Sequence, residues 1–211
     1  MSQISIIKKY QYYLIKGITM TGDAPKDFLG VYEYGYVPKS KCKKWSKYIA
    51  KHGHKYYPME SITEFLIYKI GKTLGYNVAN AKLALVGGQI RFLSKYFITN
   101  ICTQVLEHGA DLYAGYLNNA RQFVDDVEFK KLSHNFFTVQ FTESVFKHFY
   151  PINYSSLMSE FLDMLVFDAI VGNNDRHFYN WGILKNIKNH VAPIFAPIYD
   201  TARGLFWNEF E

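Results

Sequence analysis

Gly172-Asn-Asn-Asp-Arg-His-Phe-Tyr-Asn180, followed by Ala196-Pro-Ile-Tyr-Asp200, is the stretch on which the reading of this chain turns. Asp175 and Asn180 stand in a D-x-x-x-x-N spacing, in which a carboxylate can orient a hydroxyl nucleophile while an amide oxygen helps to hold a metal ion. Asp200 closes the second segment and offers another hard oxygen ligand of the kind Mg²⁺ prefers. These residue types point to phosphoryl transfer, which asks little covalent work of a protein. It needs the nucleophile aligned and the charge on the phosphate oxygens neutralised. Ordinary turn chemistry is the competing explanation, since Asn-Asn-Asp after a helix-ending glycine satisfies backbone groups without catalysis. The surrounding order argues past it: an apolar helix, Gly172, a polar loop, a strand, a turn, a strand and Asp200.

Upstream of the loop, residues 156–171 read as a core helix, because Leu157, Phe161, Leu162, Leu165, Val166, Ala169 and Ile170 make it apolar on most of its circumference. Residues 126–148 read as another helix, broken near Pro151. Downstream, residues 181–184 and 191–199 read as paired strands around a turn at 185–189. Before about residue 98 the character is β-rich: strand-like over 4–18, a loop at Thr21-Gly-Asp-Ala-Pro25, and a strand at Trp45-Ser-Lys-Tyr-Ile-Ala-Lys51. Gly87-Gly88 between two apolar runs predicts a tight hairpin. One helix interrupts this region. Ser61-Ile-Thr-Glu64 has capping-box spacing, Gly75 marks the stop, and Phe65, Leu66, Ile70 and Leu74 suggest the inward face.

Phosphoryl transfer also requires a cation on the nucleotide phosphates, usually a strand lysine steadied by a helix glutamate. Lys51 followed by Glu64 matches that logic, although Glu64 is also claimed by the capping box and cannot serve both roles. The strand that carries Ser94, Lys95 and Tyr96 is placed to offer backbone hydrogen bonds to an adenine. Phosphate-loop candidates are Gly30-Val31 and Gly35-Tyr-Val-Pro-Lys39, neither with the spacing of a glycine-rich loop. His177 reads as a loop-structuring residue, and Arg203 as a structural pairing. His52 and His54 lack the companions of a metal site.

The bulk composition narrows the setting. Charged residues make up 20% and hydrophobic ones 49%, near the average for globular domains, which argues against wholesale disorder. A net charge of +6 suits an anionic partner, and much of it is local, at Lys39, Lys41, Lys43, Lys44, Lys47, Lys51 and Lys55. Cys42 and Cys102 form no CxxC pair, which argues against a zinc site or a disulfide framework and for a reducing cytoplasm. No apolar run approaches the roughly 20 residues of a membrane span, so no membrane association is expected.

Asn174-Asp-Arg-His177 with Asn180 resembles the catalytic loop of the HipA-like kinases, the bacterial serine/threonine kinases best known as toxins of toxin–antitoxin pairs, and Ile198-Tyr-Asp200 resembles their metal-binding motif. Thr63-Glu64-Phe65 through Leu74-Gly-Tyr-Asn-Val78 resembles their regulatory helix, and Arg91-Phe-Leu-Ser-Lys-Tyr-Phe97 their hinge strand. The resemblance runs from about residue 39 to residue 206. It implies an α+β, divergent protein-kinase-like bilobal fold, with a β-rich N-lobe over residues 1–98 containing one long helix, and a mostly helical C-lobe over 99–211. It further implies ATP and Mg²⁺ as cofactors and a protein Ser or Thr as acceptor. Asp175 carries over as catalytic base, Asn180 and Asp200 as metal ligands, and Lys51 as phosphate ligand. An antitoxin-like protein partner belongs to the same implication. The family's serine-containing phosphate loop has no clear match, so no autophosphorylation switch is expected. Relatives continue into a further helical region where this sequence has only the residues after Asp200, which suggests a truncated or minimal member.

Two other readings compete. A small-molecule kinase also uses an Asp and an Asn at this spacing. A non-catalytic module could instead use the lysine cluster and surface rings, Trp45 among them, to hold nucleic acid or a protein partner.

Overall fold

Strand β4 (Ser46–Lys51) is central to a six-stranded sheet, and its alternation sorts the residues around it. Tyr48 and Ala50 point into an apolar cluster with Ile7, Leu29, Val31, Ala84, Val86 and Leu93, so Lys51, one residue on, faces the other side. The strands are β1 (Ser5–Ile7), β2 (Tyr12–Leu14), β3 (Lys26–Val31), β4, β5 (Ala81–Val86) and β6 (Gln89–Lys95), in the spatial order β1-β5-β6-β4-β3-β2. β1 runs parallel to β5, and the other pairs are antiparallel. The computed structural model describes residues 4–17, 26–53, 59–100, 103–118, 120–130, 138–188 and 191–205. The loop expected at 21–25, His54, Lys55 and Cys102 lie outside them.

Gly87 and Gly88, with φ of +61° and +82°, form the two-residue hairpin between Val86 and Gln89, as a turn with both central residues left-handed requires. The strand-like reading of 4–18 resolves into β1 and β2 separated by a 3-10 turn at Lys9–Gln11. Gly30 is no phosphate loop. It sits inside β3 opposite Tyr13, and a Cβ there would lie 2.2 Å from that ring. Gly35, with φ of +86°, belongs to the turn between β3 and β4.

Helix α1 (Glu60–Thr73) corrects two expectations. Its N-cap is Met59, with no side-chain cap, so Ser61 and Glu64 form no capping box. Its buried stripe is Ser61, Glu64, Ile67 and Gly71, while Leu66 and Leu74 are about half exposed at 50% and 54%. Apolar periodicity picked the wrong face because the true inward face carries a buried ion pair.

These elements fall in a first compact unit comprising Met1–Phe97, Val171–Asn174 and Asp200–Glu211. A second unit, Ile98–Ile170 with Asp175–Tyr199, has its own core. It contains α2 (Gly109–Tyr116), α3 (Arg121–Phe129), α4 (Val139–Phe149), most of α5 (Tyr154–Val171), and a sheet in the order β7-β8-β9. β7 (Gln104–His108) was not anticipated in a region read as helical. It pairs along its length with β8 (Gly182–Asn186), and β9 is only Ile194–Phe195. The single helix expected over 126–148 is divided between α3 and α4. Thr138, in extended backbone at ψ 169°, caps α4 by accepting the Phe141 N–H at 3.2 Å. Helix α5 is less enclosed than its composition suggested. Leu157, Met164 and Phe167 are buried, but Leu162, Val166 and Ile170 are 41%, 52% and 53% exposed. Rings fill the core: Trp181 stacks on Phe195 at 5.9 Å and meets Tyr113 and Phe161 edge-on.

Candidate active site

In the first unit, Lys51 ends β4 with its side chain only 8% exposed. Its ammonium lies 2.6 Å from Glu64 Oε1 and 2.7 Å from Asp200 Oδ1. Strand and helix thus bring together a cation and carboxylates far apart in sequence. Lys26, the first residue of β3, reaches Asp200 Oδ2 at 3.4 Å. No local pattern marks Lys26, and the sequence reading passed over it. Asp200 has φ of +55°, a left-handed conformation uncommon outside glycine but better tolerated by Asp, held here by its surroundings.

The electrostatics follow from that packing. Burial disfavours charge on Lys51, but Asp200 and Glu64 outweigh it and hold the ammonium above the ordinary lysine range. Burial would raise Asp200 as well, yet Lys51 and Lys26 keep its carboxyl well below the usual carboxylate range. Burial pushes Glu64 up to about 7, with Lys51 restraining the rise and Asp200 adding to it. Glu64 Oε2 is buried without a hydrogen-bond partner among the described residues.

In the second unit, Asp175 and Asn180 share one tight loop. Asn180 Nδ2 donates to the Asp175 carbonyl at 3.0 Å, which also accepts the His177 N–H at 3.0 Å. With its nitrogen spent on the loop, the Asn180 amide keeps Oδ1 for other use. His177 structures the loop as expected, its carbonyl accepting from Asn180 N and its Nδ1 from Tyr179 N at 3.3 Å. Arg176, which the sequence reading did not single out, anchors the loop. Its guanidinium grips Asp168 of α5 through Nε at 2.6 Å and Nη2 at 2.8 Å, and Nη1 donates to the carbonyls of Asn180 and Tyr199. Arg176 and Asp168 are each 7% exposed at the side chain, a fork-to-carboxylate pair withdrawn from water. Only the D-R step beside Asp175 could have flagged it.

The expected adenine strand is partly committed elsewhere. Lys95 N donates to Asn80 O at 2.7 Å and Tyr96 N to Lys47 O at 2.9 Å, while Ser94 pairs with Ile49 on one side and Ala81 on the other. These N–H groups belong to the sheet and cannot also be donors to a base.

The side chains fit a magnesium nucleotide. Within the first unit, Lys51 and Lys26 are cations suited to phosphate, Asp200 offers a hard oxygen of the kind Mg²⁺ takes, and the orphaned Glu64 Oε2 leaves an acceptor for a further donor. Among the described residues no group of His, Cys, Asp and Glu forms a metal cage on its own.

Comparison with known proteins bears on the fold. A Helicobacter pylori proinflammatory kinase, CtkA, superposes with a TM-score of 0.70 at 17% sequence identity, over 97% of this chain. The chain spans 62% of the length of that kinase. No curated protein sequence matches. The fold is therefore α+β and kinase-like. The HipA-like C-terminal domain matches over residues 18–209, nearly the whole sequence, and the chain belongs to that family of kinase-like proteins.

Proposed function

We propose that the chain is an ATP-dependent phosphotransferase, a HipA-like kinase that phosphorylates Ser or Thr of a protein acceptor and uses Mg²⁺. The observation that carries this reading is the Lys51 ammonium, buried between Glu64 and Asp200. A lysine held charged and fixed in this way is the phosphate-binding element of kinases, where the strand lysine must pair with a helix glutamate. Bound Mg–ATP would supply the transferable phosphoryl group and the divalent charge. Lys51 and Lys26 would neutralise phosphate oxygens, and Asp200 and Asn180 would each offer an oxygen to the metal. Asp175 accepts the proton of the acceptor hydroxyl, as the loop Asp does in kinases. Ser94, Lys95 and Tyr96, at the end of β6, would hold the nucleotide base through groups other than the Lys95 and Tyr96 N–H, which the sheet already takes. An antitoxin-like protein partner and a cytoplasmic setting complete the reading. Among the described residues no helix is long and apolar enough to cross a membrane.

The test is a thermal-shift titration of ATP with and without Mg²⁺, on wild type and Asp200→Asn, joined to a phosphate-transfer assay with Asp175→Ala. We expect metal-dependent stabilisation that Asp200→Asn loses, by the mass-action rule that a ligand of the native state raises its stability. Asp175→Ala should keep nucleotide binding and lose transfer. Equal shifts in wild type and Asp200→Asn would refute the site. Labelled phosphate found only on a metabolite would move the acceptor from protein to small molecule.

A further inference from the structure

We propose that one face of α3, made by Arg121, Asp125 and Glu128, clasps the 175–180 loop and makes these three side chains positioning residues for Asp175, with Tyr179 as the hook. The inference rests on the phosphotransferase reading above and assigns residues that reading does not use.

Residues 121, 125 and 128 recur at helical spacing, so they share one side of α3. Arg121 Nη2 donates to Tyr179 Oη at 2.6 Å, and that hydroxyl donates to Asp125 Oδ1 at 2.6 Å. The guanidinium lies 5.1 Å from the centre of the same ring. Arg121 is itself steadied by Asp111, whose carboxylate also accepts the His108 N–H at 3.0 Å at the start of α2. Glu128 accepts the backbone N–H of Phe178, the neighbour of Tyr179. The other end of Tyr179 is fixed too. Its carbonyl accepts Tyr199 Oη at 2.9 Å, and that hydroxyl meets His108 Nδ1 at 3.1 Å.

Tyr179 is thus held by hydroxyl and carbonyl, and the residue it precedes, Asn180, bonds the Asp175 carbonyl directly. Releasing the hydroxyl loosens the peptide that aims the Asn180 amide and so the turn that carries Asp175. Global stability supplies little reason for the arrangement. The Arg121–Asp125 pair is 41% and 43% exposed, and such pairs contribute little to folding. Glu128 is placed at a cost, because its Oε2 is buried without a partner among the described residues. Burial raises its proton affinity, Phe178 N–H opposes the rise, and the charges of Asp175 and Asp125 add to it. A carboxylate kept in such company fits a role in placing the loop better than a role in stability.

Tyr179→Phe deletes one oxygen and keeps the ring. Three quantities decide the matter: amide hydrogen exchange of the 175–180 segment, the unfolding midpoint, and kcat and KM for Mg–ATP. The expected result is exchange at His177 and Asn180 faster by about fivefold or more with an unchanged midpoint. Alongside it, kcat should fall by about tenfold or more with KM nearly constant, as loss of alignment predicts. Arg121→Lys keeps the charge but cannot hold Asp111 and Tyr179 together, so it should reproduce the defect in milder form. Unchanged exchange in Tyr179→Phe would overturn the clasp. Faster exchange with unchanged kcat would overturn the positioning role. A wild-type chain that transfers no phosphate would end the phosphotransferase reading, and the positioning role with it, while the exchange result would still report on the clasp itself.

Discussion

Lys51 is one residue of a lysine-rich segment, and nothing in its immediate sequence separates it from Lys47 or Lys44. What separates it is the strand alternation that turns it under α1, where Glu64 and Asp200 wait at hydrogen-bond distance. Glu64 shows the same limit from the other side. Its spacing from Ser61 suggested a capping box, yet the helix starts a residue before Ser61, and the carboxylate points inward to a cation that local sequence cannot reveal. Removing Lys51 should therefore do more than lower nucleotide affinity. Lys51→Ala leaves a buried carboxylate uncompensated and should cost about 3–5 kcal/mol in urea unfolding. Adding Glu64→Gln should restore much of that loss. A Lys51→Ala loss below about 1 kcal/mol would show that the pair is solvated and contributes little.

At the scale of elements, short-range signals worked where the chemistry is short-range. Gly87-Gly88 gave the hairpin because positive φ at adjacent residues is a local steric matter, and Gly172, with φ of +65°, ends α5 for the same reason. Strand β7 was illegible because Gln104–His108 becomes a strand by pairing with β8, whose residues lie far along the chain. Gly30 has a different lesson. It looked like part of a phosphate loop, but its missing side chain is the space that the Tyr13 ring occupies. Gly30→Ala should accordingly destabilise the sheet by about 1–3 kcal/mol through overpacking. In a Tyr13→Ala background the same substitution should cost far less, a coupling a double-mutant cycle measures directly. Equal costs in both backgrounds would mean that backbone conformation, and no ring contact, explains the glycine.

For the whole molecule, acid sensitivity should report on one hub of the first unit. Glu33 accepts from Ser46, Tyr48 and Lys82, so although burial opposes its charge, these partners lower its carboxyl to about 2. A group depressed on folding contributes stability above its unfolded value of 4.5, and the contribution disappears as pH falls from there toward about 2. Solvent screening of this partly exposed carboxylate keeps the effect to about 1–2 kcal/mol, and Glu33→Gln should flatten that part of the stability–pH curve. Parallel curves for the two proteins would remove Glu33 from the account. The sequence by itself determined the features that depend on neighbours along the chain: a β-rich half, an apolar helix ended by glycine, and a polar loop that carries Asp175 and Asn180 at D-x-x-x-x-N spacing. Tertiary structure alone decided which lysine is buried, which face of α1 turns inward, that Lys26 joins Asp200, and that Arg176 ties the loop to Asp168. The physical reason is range: φ preferences and turn hydrogen bonds act over a few residues, whereas a buried ion pair forms only once packing has excluded water from groups that the sequence holds far apart.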